Sequence, residues 1–155
     1  MANYQSSPFF VLLADDDNND RLLFKDAIDQ LELNVSLKMV EGGFELLKYL
    51  SNENNTLPDF MFLDLNMPGK NGFECLEEIR SHKRLKNLCI IIYSISSRLE
   101  DIEESLNKGA NLFFTKSSTF QELVNRLGRI FIMNWEEFNS DVTLEKFVLL
   151  DEVAF

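Results

Sequence analysis

Residues 60–69 have the sequence Phe-Met-Phe-Leu-Asp-Leu-Asn-Met-Pro-Gly, an apolar run that ends in one carboxylate, Asp64, and then breaks into a turn. Short apolar runs bounded by turn residues are typical of the buried strands of a parallel sheet, whose two faces are covered by helices. We interpret these residues as such a strand. A charged side chain at the carboxyl end of such a strand indicates a residue that takes part in chemistry rather than in packing.

Three other apolar runs of the sequence also end in polar side chains. They are residues 9–14, which lead into Asp15-Asp16-Asp17, residues 89–93, which lead into Ser94, and residues 112–115, which lead into Lys116. In an open parallel sheet the carboxyl ends of the strands share one edge, and ligands bind there where the strand order reverses. The sequence therefore predicts one polar site at that edge.

The predicted site joins three carboxylates, Asp15, Asp16 and Asp64, with Ser94 and Lys116 at its margin. Carboxylates this close repel one another and raise each other's pKa unless a cation lies among them. Carboxylate oxygens, a backbone carbonyl and waters suit a hard divalent ion such as Mg²⁺, which usually meets phosphate oxygens. An Asp nucleophile can form an aspartyl-phosphate, and a metal, a lysine and a hydroxyl can neutralise the transferred group. The residues therefore indicate phosphoryl chemistry.

In their order along the chain, these motifs resemble the receiver domains of two-component response regulators, which have the CheY-like fold. The resemblance implies a receiver domain at residues 9–133, an N-terminal extension at 1–8 and a C-terminal extension at 134–155. It also implies an α/β fold, a doubly wound, flavodoxin-like (βα)5 arrangement with five parallel strands in the order 2-1-3-4-5.

The resemblance assigns roles at the metal site to four residues. Asp64 resembles the phosphoacceptor, which becomes a 4-aspartylphosphate, and it also resembles a metal ligand. Asp15 and Asp16 resemble the acidic pair that holds Mg²⁺, or Mn²⁺, directly or through water. Asn66 would supply its backbone carbonyl as a further ligand.

Three more positions match residues that respond to phosphorylation in the family. Ser94 resembles the hydroxyl residue that binds a phosphoryl oxygen, and Lys116 resembles the lysine that pairs with another oxygen. Phe113, three residues before the lysine, stands in the place of an aromatic that turns inward on phosphorylation. Ser94 and Phe113 are therefore the predicted switch residues.

Two positions depart from the family pattern. Ser117 follows the lysine where most receivers have a proline in a cis peptide, and a cis bond is costly without proline. Ile95 follows Ser94 where the family usually has a small residue, so its branched side chain is expected to slow phosphotransfer or hydrolysis. The loop at 66–69 and the Lys116-Ser117 pair resemble those of single-domain regulators paired with phytochrome-type kinases.

The segments between the strands carry helical signals, so five βα units are predicted. Ser97 with Glu100 and Thr119 with Glu122 form capping-box pairs, which predict the starts of the fourth and fifth helices. Residues 35–39 alternate apolar and polar side chains, as an edge strand does.

Residues 134–155 lie outside the resemblance, and their structure is open at this point. Leu144, Phe147 and Val148 suit one side of a short helix, whereas residues 147–150 equally suit a strand. Either structure needs a surface against which to bury its apolar side chains. That surface is the domain itself, or the interface of a homodimer or another partner.

Length and charge limit the classes of function. The 155 residues fit one domain, and 26 acidic against 15 basic residues give a net charge of −11. This charge opposes direct binding to nucleic acids or to an anionic membrane. The N-terminus has no basic region followed by an apolar core, and no apolar stretch approaches about 20 residues. We therefore expect no membrane insertion and a cytoplasmic location.

The resemblance implies a single-domain response regulator that accepts a phosphoryl group from a histidine kinase or a histidine phosphotransfer protein. It would signal to a downstream protein by changing conformation, and it would catalyse only its own phosphorylation and dephosphorylation. Two alternatives are open. Haloacid-dehalogenase-type phosphatases also place an Asp after an apolar strand, but in an Asp-x-Asp motif, unlike Asp64-Leu65-Asn66. A binding module would keep the fold without using phosphorylation.

Overall fold

The computed structural model describes residues 8–116, 119–140 and 142–148. These residues form five strands and seven helices. In chain order they are β1 (Phe9–Ala14), α1 (Asn18–Gln30), β2 (Val35–Val40), α2 (Gly43–Ser51), β3 (Phe60–Leu63), α3 (Gly72–Ser81), β4 (Ile90–Ser94), α4 (Leu99–Asn107), β5 (Leu112–Thr115), α5 (Phe120–Ile132), α6 (Trp135–Ser140) and α7 (Leu144–Phe147).

The strands form one parallel sheet in the order β2-β1-β3-β4-β5, which confirms the predicted order and the edge position of β2. Leu63 near the end of β3 lies beside Ala14 of β1 and Ile92 of β4. Ser94 lies beside Thr115 of β5. The strands therefore end close to one another, and the polar residues that follow them share one edge.

Two apolar layers flank the sheet, because successive side chains of a strand point to opposite faces. One layer packs Leu12 of β1 against Leu46 of α2 and Leu76 of α3. The other packs Leu13 of β1 against Phe24 of α1, together with side chains of α5. Helices thus cover both faces, as the continuous apolar strands predict, and the site lies at the carboxyl edge of the strands.

The helix starts confirm one predicted cap and correct another. The Thr119 side chain accepts a hydrogen bond from the N–H of Glu122 at the start of α5, as predicted. The predicted cap at Ser97 is wrong, because Arg98 is the N-cap of α4. The Ser96 hydroxyl accepts from the N–H of Arg98 and donates to Asp101, so the polar turn continues one residue further before the helix begins.

The C-terminal residues return to the domain. Trp135 of α6 packs on Phe60 and Phe138, in the layer that contains α5. Phe147 of α7 is buried in the opposite layer, and Val148 pairs with Phe113 in a single parallel bridge. Both predicted forms therefore occur in part, a short helix followed by one strand-like residue, while 149–150 lie outside the described residues. None of the helices in the described ranges combines the length and apolar character needed to cross a bilayer.

Candidate functional site

The three predicted carboxylates meet at the carboxyl edge of the sheet. β1 leads into Asp15 and Asp16, and β3 leads into Asp64. One carboxylate oxygen from each residue lies within 4.8 Å of the others. Asp15 and Asp64 are buried, at 0% and 4% exposure, whereas Asp16 is exposed. The structure thus brings Asp64 next to an acidic pair that is distant in sequence, and two of the three carboxylates are held away from bulk water.

Lys116 supplies the positive charge of this cluster. Its Nζ lies 2.9 Å from Oδ2 of Asp15 and 3.6 Å from Oδ2 of Asp64. It also donates a hydrogen bond of 2.7 Å to Oδ2 of Asp20. The Tyr93 ring centroid lies 5.2 Å from the same ammonium. β5 therefore delivers Lys116 into the acidic pocket.

The electrostatics of the pocket follow from burial and from these charges. Burial raises the pKa of Asp64 to about 7, and the charges of Asp15 and Asp16 act in the same direction. Lys116 and the N–H of Asn66 oppose that rise without cancelling it. Burial alone would lower the pKa of Lys116, but its hydrogen bonds to Asp20 and Asp15 and the charge of Asp64 raise it. The lysine is therefore charged at neutral pH.

In the loop after β3, the backbone of Gly72 lies close to the backbone of Asp64. The N–H of Asn66 donates to Oδ1 of Asp64 at 3.3 Å, and the N–H of Gly72 donates to the carbonyl of Leu65 at 2.9 Å. A Cβ at Gly72 would lie 2.3 Å from the carbonyl oxygen of Asp64, which no side chain can accommodate. Glycine at this position therefore lets α3 begin directly against the loop that carries Asp64.

Ser94 is the last residue of β4, and Phe113 lies in the neighbouring strand β5. Ser94 is fully buried, and its hydroxyl accepts a hydrogen bond from the N–H of Ser96. Its carbonyl accepts from the N–H of Lys116 at 2.7 Å, so the two residues are joined through the backbone. Phe113 is fully buried, with the Phe147 ring centroid 6.3 Å from its own.

Of the two positions that depart from the receiver family pattern, the structure describes one. Ile95 directly follows the buried Ser94 and is 72% exposed, so its side chain stands at the surface beside the site. Ser117 lies outside the described residues.

Two residues of the site were not predicted from the sequence. Asp20, in the first turn of α1, is an acceptor for Lys116, while Asp17 is the N-cap of the same helix. Arg21 is buried and donates to the backbone carbonyl of Asp15 at 2.8 Å, while it also pairs with Glu41. The only sequence signal for both is their place in the first turn of α1, directly after the acidic run.

The donor set suits a hard divalent cation. Three carboxylates offer oxygens, which are the ligands that Mg²⁺ and Mn²⁺ accept. Oδ2 of Asp15 is buried and lies 2.9 Å from Lys116 Nζ, a cation that also contacts two other carboxylates. A buried carboxylate is costly unless cations compensate its charge. Lys116 has one positive charge, which it shares among three carboxylates. The acidic cluster therefore fits divalent metal binding.

The fold and the site together define a class of protein: a doubly wound parallel sheet with an acidic cluster, a lysine and a serine at its carboxyl edge. The chain belongs to the family of response regulator receiver domains, whose sequence model matches residues 11–128.

Individual relatives agree with this assignment. Response regulator Rcp1 of Synechocystis sp. is 27% identical over 127 residues, which cover 79% of this chain and 86% of the relative. Chemotaxis protein CheY-3 of Vibrio cholerae is 29% identical over 121 residues, which cover 78% of this chain and 90% of the relative.

Solved structures show the same fold. The phosphorylated cyanobacterial phytochrome response regulator RcpA has a TM-score of 0.74 and 29% identity, over 88% of this chain and 98% of that chain. The Mn²⁺-bound form of response regulator Rcp1 also has a TM-score of 0.74, with 25% identity over 82% of this chain and 96% of that chain.

Proposed function

We propose that this receiver domain accepts a phosphoryl group on Asp64 from a histidine kinase or a histidine phosphotransfer protein. The observation that carries this proposal is the position of Asp64, a buried carboxylate within 4.8 Å of two other carboxylates and within 3.6 Å of Lys116 Nζ. A carboxylate oxygen of Asp64 would attack the phosphorus atom of a phosphohistidine. The O–P bond forms as the P–N bond breaks, and the imidazole leaves with its electron pair.

Asp15, Asp16, Asp64 and the backbone carbonyl of Asn66 would hold Mg²⁺ or Mn²⁺. The bound ion would offset the charge of the phosphoryl oxygens. Lys116 supplies a second positive charge, already placed beside Asp64. It can pair with a phosphoryl oxygen by a small movement, because it has three N–H donors. These residues keep the phosphoryl group oriented and partly neutralised while the bond to Asp64 forms.

Phosphorylation would change the conformation at the ends of β4 and β5. The Ser94 hydroxyl would give up its contact with the N–H of Ser96 to reach a phosphoryl oxygen. Lys116 would also move towards a phosphoryl oxygen. Both movements act on strand ends that are hydrogen-bonded to each other. Phe113, in the strand that leads into Lys116, would respond to that shift. The result is a biased two-state equilibrium that a downstream protein detects.

Intact mass spectrometry tests this function. The chain is incubated with acetyl phosphate and Mg²⁺, with a parallel sample that contains a chelator. We expect one phosphoryl adduct with Mg²⁺ and none with the chelator. An adduct of equal yield in both samples would contradict the metal-dependent mechanism. No adduct in a chain that binds Mg²⁺ would instead favour the binding module, and turnover of generic phosphate esters would favour the phosphatase.

Asp20→Asn is expected to speed phosphorylation by acetyl phosphate at saturating Mg²⁺ by about threefold to tenfold. The change removes a negative charge that repels the donor, and it releases Lys116 from its 2.7 Å hydrogen bond to Asp20. The adduct is followed by mass against time. Asp26→Asn is the matched control, since Asp26 is exposed further along α1. A slower Asp20→Asn variant would show instead that Asp20 holds Lys116 in its productive position.

Ile95→Ala is expected to change phosphorylation and dephosphorylation rates, with both rising about twofold to tenfold as bulk beside the site is removed. Leu99→Ala serves as the control, because Leu99 is also a large exposed apolar residue, at 56% exposure, and it lies in α4. The decay of the adduct is measured after the donor is removed. Unchanged rates in the Ile95 variant would refute the steric role.

The remaining predictions concern boundaries, partners and location. We propose a receiver domain at 9–133 with extensions on both sides, a downstream protein target, and a cytoplasmic location. The net charge of −11 supports the proposal that the chain does not bind nucleic acid directly. A homodimer stays a prediction, which light scattering on the full chain would test.

A further inference from the structure

The charge of the chain is distributed unevenly, with a basic segment at residues 80–86. This segment, Arg-Ser-His-Lys-Arg-Leu-Lys, has four of the chain's 15 basic residues and no acidic residue, a net charge of +4 with the histidine neutral. No acidic residue occurs from 79 to 99, although the whole chain has 26 of them. Residues 80–86, which we call the basic loop, include the end of α3 and lead towards β4. They form a local positive field on an acidic protein.

Two arginines hold the basic loop in place through neutral oxygen atoms. Arg80 donates a hydrogen bond of 2.8 Å from Nε to the carbonyl oxygen of Gly109. Arg84 donates to the carbonyl oxygens of Leu50 and Asn55, at 2.8 and 3.2 Å. These bonds attach the loop to two neighbouring segments of the fold. The positions of its charges are therefore set before a ligand binds, which lowers the entropy cost of binding.

The four cations of the basic loop are not neutralised by carboxylates within the described ranges. Neither the two arginines nor Lys83 or Lys86 has a carboxylate oxygen of a described residue within 4.0 Å. Lys83 and Lys86 are also exposed. Glu78, the last acidic residue before the loop, pairs instead with Lys70 at 2.8 Å. The positive charge is therefore available to carboxylates of another molecule.

A cavity of about 340 Å³ lies beside the basic loop. Arg80 and Lys86 line it together with three asparagines, Asn87, Asn111 and Asn139, and none of its lining residues in the described part of the chain is acidic. Nδ2 of Asn111 donates a hydrogen bond of 3.2 Å to Oδ1 of Asn139. Ammonium and amide N–H groups are donors that suit carboxylate oxygens. The cavity therefore suits a carboxylate side chain that projects from a bound segment.

We propose that the basic loop and the adjacent cavity are a docking surface for an acidic segment of a partner protein. The segment would place one carboxylate in the cavity, beside Lys86, and others over Lys83 and Arg84. Complementary charges of this kind speed and orient association. A short acidic segment fits better than a nucleic acid or an anionic membrane, because a long polyanion would extend beyond the loop over a chain whose net charge is −11.

This docking surface lies at the opposite edge of the sheet from the phosphoryl site. The basic loop precedes β4, whereas Ser94 is the last residue of that strand. A strand of five residues spans about 16 Å. A partner can therefore stay bound while Asp64 gains or loses a phosphoryl group. Docking does not depend on the function proposed above, and the experiment below contains no phosphodonor.

Fluorescence anisotropy with a labelled hexaglutamate peptide at low salt tests the surface. The full chain is compared with the double variant Lys83→Gln/Lys86→Gln and with the matched control Lys38→Gln/Lys48→Gln. All four lysines are exposed, and both double variants remove two positive charges, so only the position of the lost charge differs. We expect the loop variant to bind the peptide about tenfold more weakly than the unchanged chain, and the control variant to bind it within about twofold. Added salt should weaken binding to the unchanged chain.

The single variants test the cavity. Lys86→Gln should weaken binding more than Lys83→Gln does, because Lys86 lines the cavity and Lys83 does not. A larger loss from Lys83→Gln would contradict the place of the cavity in this surface.

Three results would overturn the proposal. The first is absence of hexaglutamate binding to the unchanged chain. The second is an equal loss of affinity in both double variants, which would show that the peptide responds only to overall charge. The third is tighter binding of a six-nucleotide oligothymidylate, or of phosphatidylserine vesicles, that is lost in the loop variant. That result would assign the surface to a nucleic acid or to a membrane instead.

Discussion

Asp64→Asn is expected to raise the free energy of unfolding of the metal-free protein at pH 8 by about 2–4 kcal/mol. The carboxyl group is buried beside Asp15 and Asp16, and its pKa in the folded protein is raised to about 7 from the ordinary 3.8. At pH 8 the folded protein must hold this group charged, whereas the unfolded chain holds the same charge in water at little cost. The amide removes that penalty.

The sign of the pH dependence follows from the same shift. Between about pH 4 and pH 7 the folded protein keeps a proton on Asp64 that the unfolded chain has released. The folded state therefore binds more protons in this range, and stability falls as the pH rises. We expect the advantage of Asp64→Asn to be small at pH 4 and to reach its full size above pH 7.

Urea unfolding with a chelator present, at pH 5 and pH 8, measures this effect. Asp26→Asn is the control, since its carboxylate is exposed on α1 and should alter stability by less than about 0.5 kcal/mol. Mg²⁺ should stabilise the unchanged chain more than it stabilises the Asp64 variant, because the variant lacks a proposed ligand. An Asp64→Asn protein that is less stable than the unchanged chain at pH 8 would contradict this account of the pocket.

Lys116→Met is expected to have the opposite effect and to cost about 3–5 kcal/mol of stability without metal at pH 8. The lysine Nζ lies within 3.6 Å of carboxylate oxygens of Asp15, Asp20 and Asp64. Removal of one partner from a buried ion pair leaves the other charges uncompensated. At pH 5 the loss should be smaller, because Asp64 can then take up a proton.

The same unfolding experiment checks this prediction, with Lys25→Met as the control. Lys25 pairs with Asp29 on the surface of α1, and exposed pairs of this kind contribute less than about 1 kcal/mol. Mg²⁺ should restore part of the stability of Lys116→Met, since the cation would replace the missing positive charge. A loss as small as that of the Lys25 variant would show that the carboxylates do not depend on Lys116.

The sheet and the site were predictable because both depend on local patterns joined by one topological rule. Each buried strand is an apolar run that ends in a polar residue, and parallel strands bring those ends to a single edge. Asp15, Asp64 and Lys116 therefore meet as predicted, although they are far apart in sequence.

The remaining features depend on contacts that no local pattern specifies. Asp20 resembles an ordinary first-turn acid until the fold places Lys116 beside it. Ser97 resembles a helix cap in the sequence, but Ser96 bonds to Asp101 instead, and α4 begins after Arg98. The burial of Phe147 depends on Phe113, which lies in another element, so the end of the chain was open to several predictions.

The most direct test of the central claim is the location of the phosphoryl group on the chain. Borohydride reduces an acyl phosphate to an alcohol, so the modified aspartate becomes homoserine and is identified by peptide mass spectrometry. After incubation with acetyl phosphate and Mg²⁺, we predict homoserine at Asp64, and no reduction product in a sample prepared with a chelator. Homoserine at Asp15, Asp16 or Asp20 in place of Asp64 would contradict the claim that Asp64 is the phosphoacceptor.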